Sequence, residues 1–264
     1  VGMPYSIRKW GFLAGILLGF IIAYTIRQSV VMLIECGLKV DALDLEELAH
    51  KVLGKKGYYL AVSAMFIFSY GAQIAYMVIV GDTAPLVLGG IFHTHINREV
   101  VIVVLAVFVV LPLCLLKDIS SLSFASMISV TANCVLVTIV CTQGPMIKHD
   151  EGITAENAGF ALITPSIFAG AGALAFTFTC QHNSFLIYRS LENQSIETWH
   201  KVASFSVGIA LVVCLVMGLA GYLSFYDLSK GNILNNFPIS GTVCMFLIVM
   251  CIMVLLLCIV DELS

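Results

Sequence analysis

The chain has 264 residues, of which 60% are hydrophobic and only 11% charged, and its mean hydropathy is +1.02. These values lie far outside the soluble globular range and exclude a water-soluble domain, leaving an all-α integral membrane protein whose partner is the lipid bilayer, with no nucleic-acid partner. The formal net charge of −3 matters less than where Lys and Arg fall along the chain.

In chain order, seven stretches reach the roughly 20 apolar residues that a spanning helix needs: Gly11 to Glu35, Tyr58 to Leu88, Val100 to Leu116, Leu122 to Gln143, Ala161 to Tyr188, Ala203 to Phe225 and Gly241 to Val260. The first carries Arg27, about 12 Å from Glu35 along a helix; snorkelling or pairing with a neighbouring helix accounts for it better than a substrate role. Between the first two spans, Val40 to Gly57 places Glu46, Glu47, Lys51 and Lys55 at helical spacing around Leu45-x-x-Leu48, the pattern of a short amphipathic surface helix.

On the second span Ser69, Gln73 and Tyr76 share one face near the bilayer middle, able to line a substrate path or to bond another helix. Asp82 lies about 36 Å along the same helix, where a carboxylate is interfacial and capped or solvated, and Pro85 marks the place where the span is expected to stop. His93-Thr94-His95 has no partnering Cys or carboxylate pattern, so no metal is assigned. On the fourth span Asn133, with Ser129 and Thr131 nearby, is expected to bond a neighbouring helix. Eight of the nine cysteines fall within spans and the ninth, Cys36, at a span end, so they are read as small hydrophobes rather than disulfide partners.

Seven Lys and Arg collect on one side (Lys39, Lys51, Lys55, Lys56, Lys117, Arg189, Lys201) and five on the other (Arg8, Lys9, Arg98, Lys148, Lys230). The bias places Leu38 to Gly57 and the C-terminus in the cytosol and the N-terminus outside, so the sequon Asn193-Gln194-Ser195 is cytosolic and unused.

The fifth span is long and apolar yet interrupted. Gly170 and Gly172 are followed by Thr177, Thr179, Cys180, Gln181, His182, Asn183 and Ser184, groups too costly to face lipid. Small-residue packing explains the Gly and Ala but not these polar residues. A helix broken at mid-depth is the usual binding element of secondary transporters, and unwinding around Gly170 to Ala173 would free N–H groups for a carboxylate and carbonyls for an ammonium group or cation.

Gly2-Met3-Pro4-Tyr5 followed by Gly15-Ile16-Leu17, Gly81-Asp82-Thr83, Pro112-Leu113 with Lys117-Asp118-Ile119-Ser120-Ser121-Leu122, Phe178 to Tyr188, Gly221-Tyr222-Leu223-Ser224-Phe225 and Gly231-Asn232-Ile233-Leu234 together resemble the sodium-coupled neutral amino-acid transporters and their vacuolar relatives in the amino acid/auxin permease family. Gln181 departs from the second His that many relatives carry. The resemblance implies a leucine-transporter-like inverted-repeat fold, present in part: Val1 to Tyr5 as the remnant of helix one, the seven spans as helices two to eight, and the broken span as helix six. It further implies secondary active symport of a small neutral amino acid by alternating access, driven by Na+ or H+, in a monomer without cofactor or bound metal, at the plasma membrane or a vacuolar or lysosomal membrane. The substrate-binding positions it implies are Gly170, Ala171, Gly172 and Ala173, with Phe176, Thr177 and Gln73 beside them.

The unwound part of helix one and helices nine to eleven of that family fall outside the sequence, so the stretch from Val1 to Ser264 is expected to be an incomplete transporter domain that does not transport by itself. A seven-helix receptor is the alternative, disfavoured by the absence of an outer cysteine pair and of an Asp-Arg-Tyr-like signature after the third span. An enzyme is not expected, because no Cys/His/Asp or Ser/His/Asp set converges.

Overall fold

The computed structural model describes residues 2–92, 97–110, 119–150, 172 and 175–237. Seven α-helices are assigned among them: α1 (Met3–Trp10), α2 (Phe12–Lys39), α3 (Leu45–Phe92), α4 (Arg98–Leu105, continued by a π-turn over Ala106–Val110), α5 (Ile119–Asp150), α6 (Ser184–Arg189) and α7 (Ile196–Phe225). Short 3-10 turns follow at Tyr226–Leu228 and Ile233–Asn236. Phe12–Lys39, Leu45–Pro85, Ser129–His149 and Ile196–Leu228 are each long and apolar enough to cross a membrane. They match the first, second, fourth and sixth expected spans; the span from Gly241 to Val260 and most of the broken span lie outside the described residues.

Two compact units divide the chain, one formed by Val1–Tyr5, Phe68–Ala158 and Ala220–Ser264, the other by Ser6–Ile67 and Gly159–Leu219. In the second unit α2 turns Ala14, Gly15, Gly19, Ala23, Val30, Val31, Ile34 and Gly37 inward, residues that share one face. The small ones allow close approach: a Cβ on Gly19 would lie 3.5 Å from both Leu211 and Leu215 of α7. Trp199 anchors the wider end of this contact. It is buried with Val30, Val31, Ile34, Phe185, Tyr188 and Ala203, donates its indole N–H to the Val30 carbonyl at 3.3 Å, and meets Tyr188 edge-on with centroids 5.7 Å apart.

Bulky apolar side chains point the other way. Leu17, Phe20 and Ile21 on α2, Phe66 and Ile67 on α3, and Phe205 and Ile209 on α7 are all exposed. Small residues inside and large ones outside is the arrangement of helices whose solvent is hydrocarbon.

The amphipathic segment forms as expected but is not isolated. Residues 45–53 are helical and run into the second span through Gly54, whose φ of 69° and ψ of −163° break the helix at a single residue. Only Gly adopts that backbone without a Cβ penalty. Pro85 does not stop the span, which continues to Phe92; the residue four before it, whose carbonyl the ring crowds, is Gly81, and membrane helices tolerate such an interruption.

In the first unit, Gly81 brings α3 against α4: a Cβ there would lie 2.5 Å from Ile102 Cδ1. One residue on, Asp82 pairs with Arg98 at 2.9 Å, so the carboxylate is paired rather than merely solvated. Among the described residues Asn133 bonds its own helix rather than a neighbour: its Nδ2 donates to the Ser129 carbonyl at 3.1 Å, one turn back in α5. Periodicity cannot separate these outcomes, because a short amide finds its own helix's carbonyl as readily as a partner. Lys148 of α5 closes the last turn of α7, donating to the Leu223 carbonyl at 3.0 Å and the Tyr226 hydroxyl at 2.7 Å.

Trp199→Ala is expected to destabilise the protein by about 3–5 kcal/mol, read from thermal or SDS unfolding in detergent, whereas Phe205→Ala on the exposed face should stay within about 0.5 kcal/mol of the parent. Equal effects would place Trp199 outside the core.

Candidate functional site

The unwinding expected around Gly170 to Ala173 lies largely outside the described residues, with Gly172 helical; the described irregular backbone lies further on, at Thr179 to Asn183. Residues 175–178 are helical, the chain then leaves the helix, and α6 begins at Ser184. Three polar side chains at the break satisfy backbone groups there. Thr179 Oγ1 donates to the Ala175 carbonyl at 2.7 Å, Gln181 Oε1 accepts from the Cys180 amide at 3.1 Å, and buried Ser184 donates its hydroxyl to the Cys180 carbonyl at 3.0 Å. The polar run therefore caps a broken helix.

What holds the broken segment in place is apolar. Phe185 is buried directly on the end of α2, where a Cβ on Gly37 would lie 2.5 Å from its ring. Beyond α6 the chain is tied by Tyr188 Oη donating to the Gln194 carbonyl at 3.0 Å and by Gln194 Nε2 donating to the Arg189 carbonyl at 2.9 Å. Ser195, the last residue of the sequon, accepts from the Thr198 amide at 3.1 Å as an N-cap of α7.

A groove of about 860 Å³ opens beside the break, lined by His182, Phe185 and Leu186 on one side and by Asp44, Glu46, Glu47, His50, Lys51, Lys55, Tyr58 and Tyr59 on the other. Glu47 is committed within it: its carboxylate accepts from the Leu43 amide at 2.7 Å and pairs with Lys51 at 2.9 Å. The amide first, and the ammonium second, hold this carboxyl below its ordinary value. Residues 45–53 precede the apolar part of the span, so water reaches the pair.

Of the expected substrate-binding positions, Gly170, Ala171 and Ala173 lie outside the described residues. Gly172 is helical and exposed, and Phe176 and Thr177 sit within the helical turn 175–178, half-buried and exposed respectively. Gln73 is half-buried on α3, on the face that also buries Ala72 and Val80, and belongs to the first unit while the other described positions belong to the second. His93 to His95 lie outside the described residues. Among the described residues no group of three or more His, Cys, Asp or Glu is placed to hold a metal ion.

Arg27 meets the expectation of pairing with a neighbouring helix, but its partners had no sequence signal. Arg27 pairs with the neighbouring helix, Nε donating to Ser204 at 3.1 Å and a terminal nitrogen lying 3.3 Å from His200 Nδ1, while His200 Nε2 lies 3.0 Å from Glu35. The positions are more than 160 residues apart in sequence, so only the packing of α2 on α7 reveals them.

Spanning helices with apolar outer faces make this a multi-pass integral membrane protein. The chain belongs to the family described as transmembrane amino acid transporter proteins, whose model matches residues 1–260. It is 32% identical to vacuolar amino acid transporter 2 of Saccharomyces cerevisiae over 254 residues, covering 92% of this chain and 52% of that protein. It is also 32% identical to putative sodium-coupled neutral amino acid transporter 11 of Mus musculus over 245 residues, 90% of this chain and 53% of that protein. Sodium-coupled neutral amino acid transporter 7 of Xenopus laevis is 25% identical over 257 residues, 92% of this chain and 56% of that protein. The chain thus spans about half the length of the curated relatives it matches. No solved structure matches it. The matched proteins are transporters, not enzymes, and offer no support for a receptor.

Two measurements follow from this geometry. Gly37→Ala should cost about 1–3 kcal/mol by driving Phe185 from its seat, whereas Gly208→Ala, where a Cβ meets nothing within 4 Å, should be neutral or stabilise by up to about 1 kcal/mol; both are read by unfolding in detergent. The Leu43 amide resonance should titrate with a midpoint below 4.5 and lose that transition in Glu47→Gln. Because the folded carboxyl is held low, its stabilising contribution is present above 4.5 and is lost as pH falls through the lowered value.

Proposed function

We propose that this chain is part of a secondary active transporter of small neutral amino acids, working by alternating access around the broken segment. The observation that carries the reading is the break at Thr179 to Asn183 in a chain of this family: an interrupted helix is the element around which such carriers build a site. In this reading the chain adopts a leucine-transporter-like inverted-repeat fold, the seven expected spans are its helices two to eight, and residues 1–264 form one incomplete transporter domain.

The cradle we propose is Gly170, Ala171, Gly172 and Ala173, apart from the described break; unwinding there, in a state other than the one in which Gly172 is helical, would free amides for the substrate carboxylate and carbonyls for its ammonium group. Phe176 and Thr177 contact the side chain, and Gln73 contributes from α3. Coupling is to Na+ or H+; the names of the mouse and frog relatives favour Na+, and that of the yeast relative favours a vacuolar membrane. The working unit is a monomer.

Gly172→Leu provides the test, since a Cβ at Gly172 meets no described atom within 4 Å, and unchanged unfolding separates a lost site from a clash. In proteoliposomes of the full-length protein, uptake of labelled neutral amino acids should fall at least about tenfold in this variant, the scale of losing one or two hydrogen bonds to a charged group, while unfolding is unchanged. Unaltered uptake would remove the cradle.

A further inference from the structure

His200 stands between opposite charges. Arg27 and Glu35 are separated by about 12 Å along α2, and the imidazole of α7 fills the gap, with a terminal Arg27 nitrogen 3.3 Å from Nδ1 and Glu35 Oε1 3.0 Å from Nε2. A guanidinium only donates and an ionised carboxylate only accepts. Both contacts are therefore hydrogen bonds only when Nδ1 offers a lone pair and Nε2 carries the proton, which is the neutral ring.

We propose that His200 is a proton-operated switch on the contact between α2 and α7. The neutral ring links Arg27 and Glu35 into one chain of hydrogen bonds; a proton taken from solvent at Nδ1 turns that nitrogen into a donor facing a cation, expels Arg27 and tightens the ion pair with Glu35. Histidine is the side chain that changes charge within the physiological range; His200 precedes the expected span that starts at Ala203 and Glu35 ends the one that starts at Gly11, so both stand at the edge of the apolar stretches, with side chains 37% exposed. Arg27 is not stranded when it leaves, because its Nε keeps Ser204 at 3.1 Å and its other terminal nitrogen keeps Gln28.

Among the described residues the neighbouring charges are few. On α7 the neighbouring charges, Glu197 and Lys201, are closed on each other at 2.7 Å. From α2 the facing charged groups are Arg27 and Glu35. From α6 the packed titratable group is Tyr188, which contacts Trp199 and whose hydroxyl is bonded to Gln194. The switch thus moves one bond within the α2–α7 contact, loosening it at Arg27 and strengthening it at Glu35.

Double-mutant cycles test this on the full chain, using Arg27→Gln, Glu35→Gln and His200→Gln with Tm in detergent as the readout at about pH 8 and about pH 5. The Arg27–His200 coupling should be favourable at the higher pH and vanish or change sign at the lower, while the Glu35–His200 coupling grows. A merely structural ring would give couplings that do not depend on pH, and that result, or both couplings moving together, overturns the proposal. If any variant fails to fold, nitrogen-15 NMR of the histidine-labelled parent decides: the Nε2–H tautomer at the higher pH supports the switch, and the Nδ1–H tautomer overturns it.

Discussion

The seating of Phe185 against Gly37 is the contact on which the described part of the second unit turns. A helix can be interrupted inside a bilayer only if protein surrounds the interruption, and here the segment that follows the break is pinned by one aromatic ring pressed onto a residue with no side chain. From that ring the core extends through Tyr188 and Trp199 to Val30 and Ile34, which joins α6 and α7 to α2. The polar residues of the break then complete the backbone bonding that the lost helical turns leave open.

Several family signature residues are explained by packing rather than by substrate chemistry. Gly81 admits Ile102, and the Asp82 beside it pairs with Arg98. Gly221 receives the ring of Pro4, so the Gly-Met-Pro-Tyr start and the Gly-Tyr motif, more than two hundred residues apart in sequence, are two sides of one contact. Such glycines set how closely helices approach where there is no water to drive them together.

Four of the seven expected spans were legible because hydropathy and length decide them. An irregularity in the fifth was legible too, since seven polar groups are too costly for lipid. Its extent was less so: the Gly-Ala stretch draws the eye, but the described irregular backbone falls at Thr179 to Asn183, where side chains are available to cap it. Gly54 was hidden because an isolated glycine between two helical patterns has no periodic signature. The Arg27–His200–Glu35 chain was hidden because each member alone is an ordinary interfacial residue, and its meaning arises only when α2 meets α7.

The most direct test of a water-facing, protein-held break is cysteine labelling of the intact chain in native membranes, with the endogenous thiols replaced. Asn183→Cys and Thr177→Cys should react with a membrane-impermeant maleimide, and Ser184→Cys and Phe185→Cys, buried in the fold, should not. Uniform protection across 177–185, matching that of Phe205→Cys on the apolar outer face, would mean a continuous helix in lipid and would contradict the broken segment on which the transport reading rests.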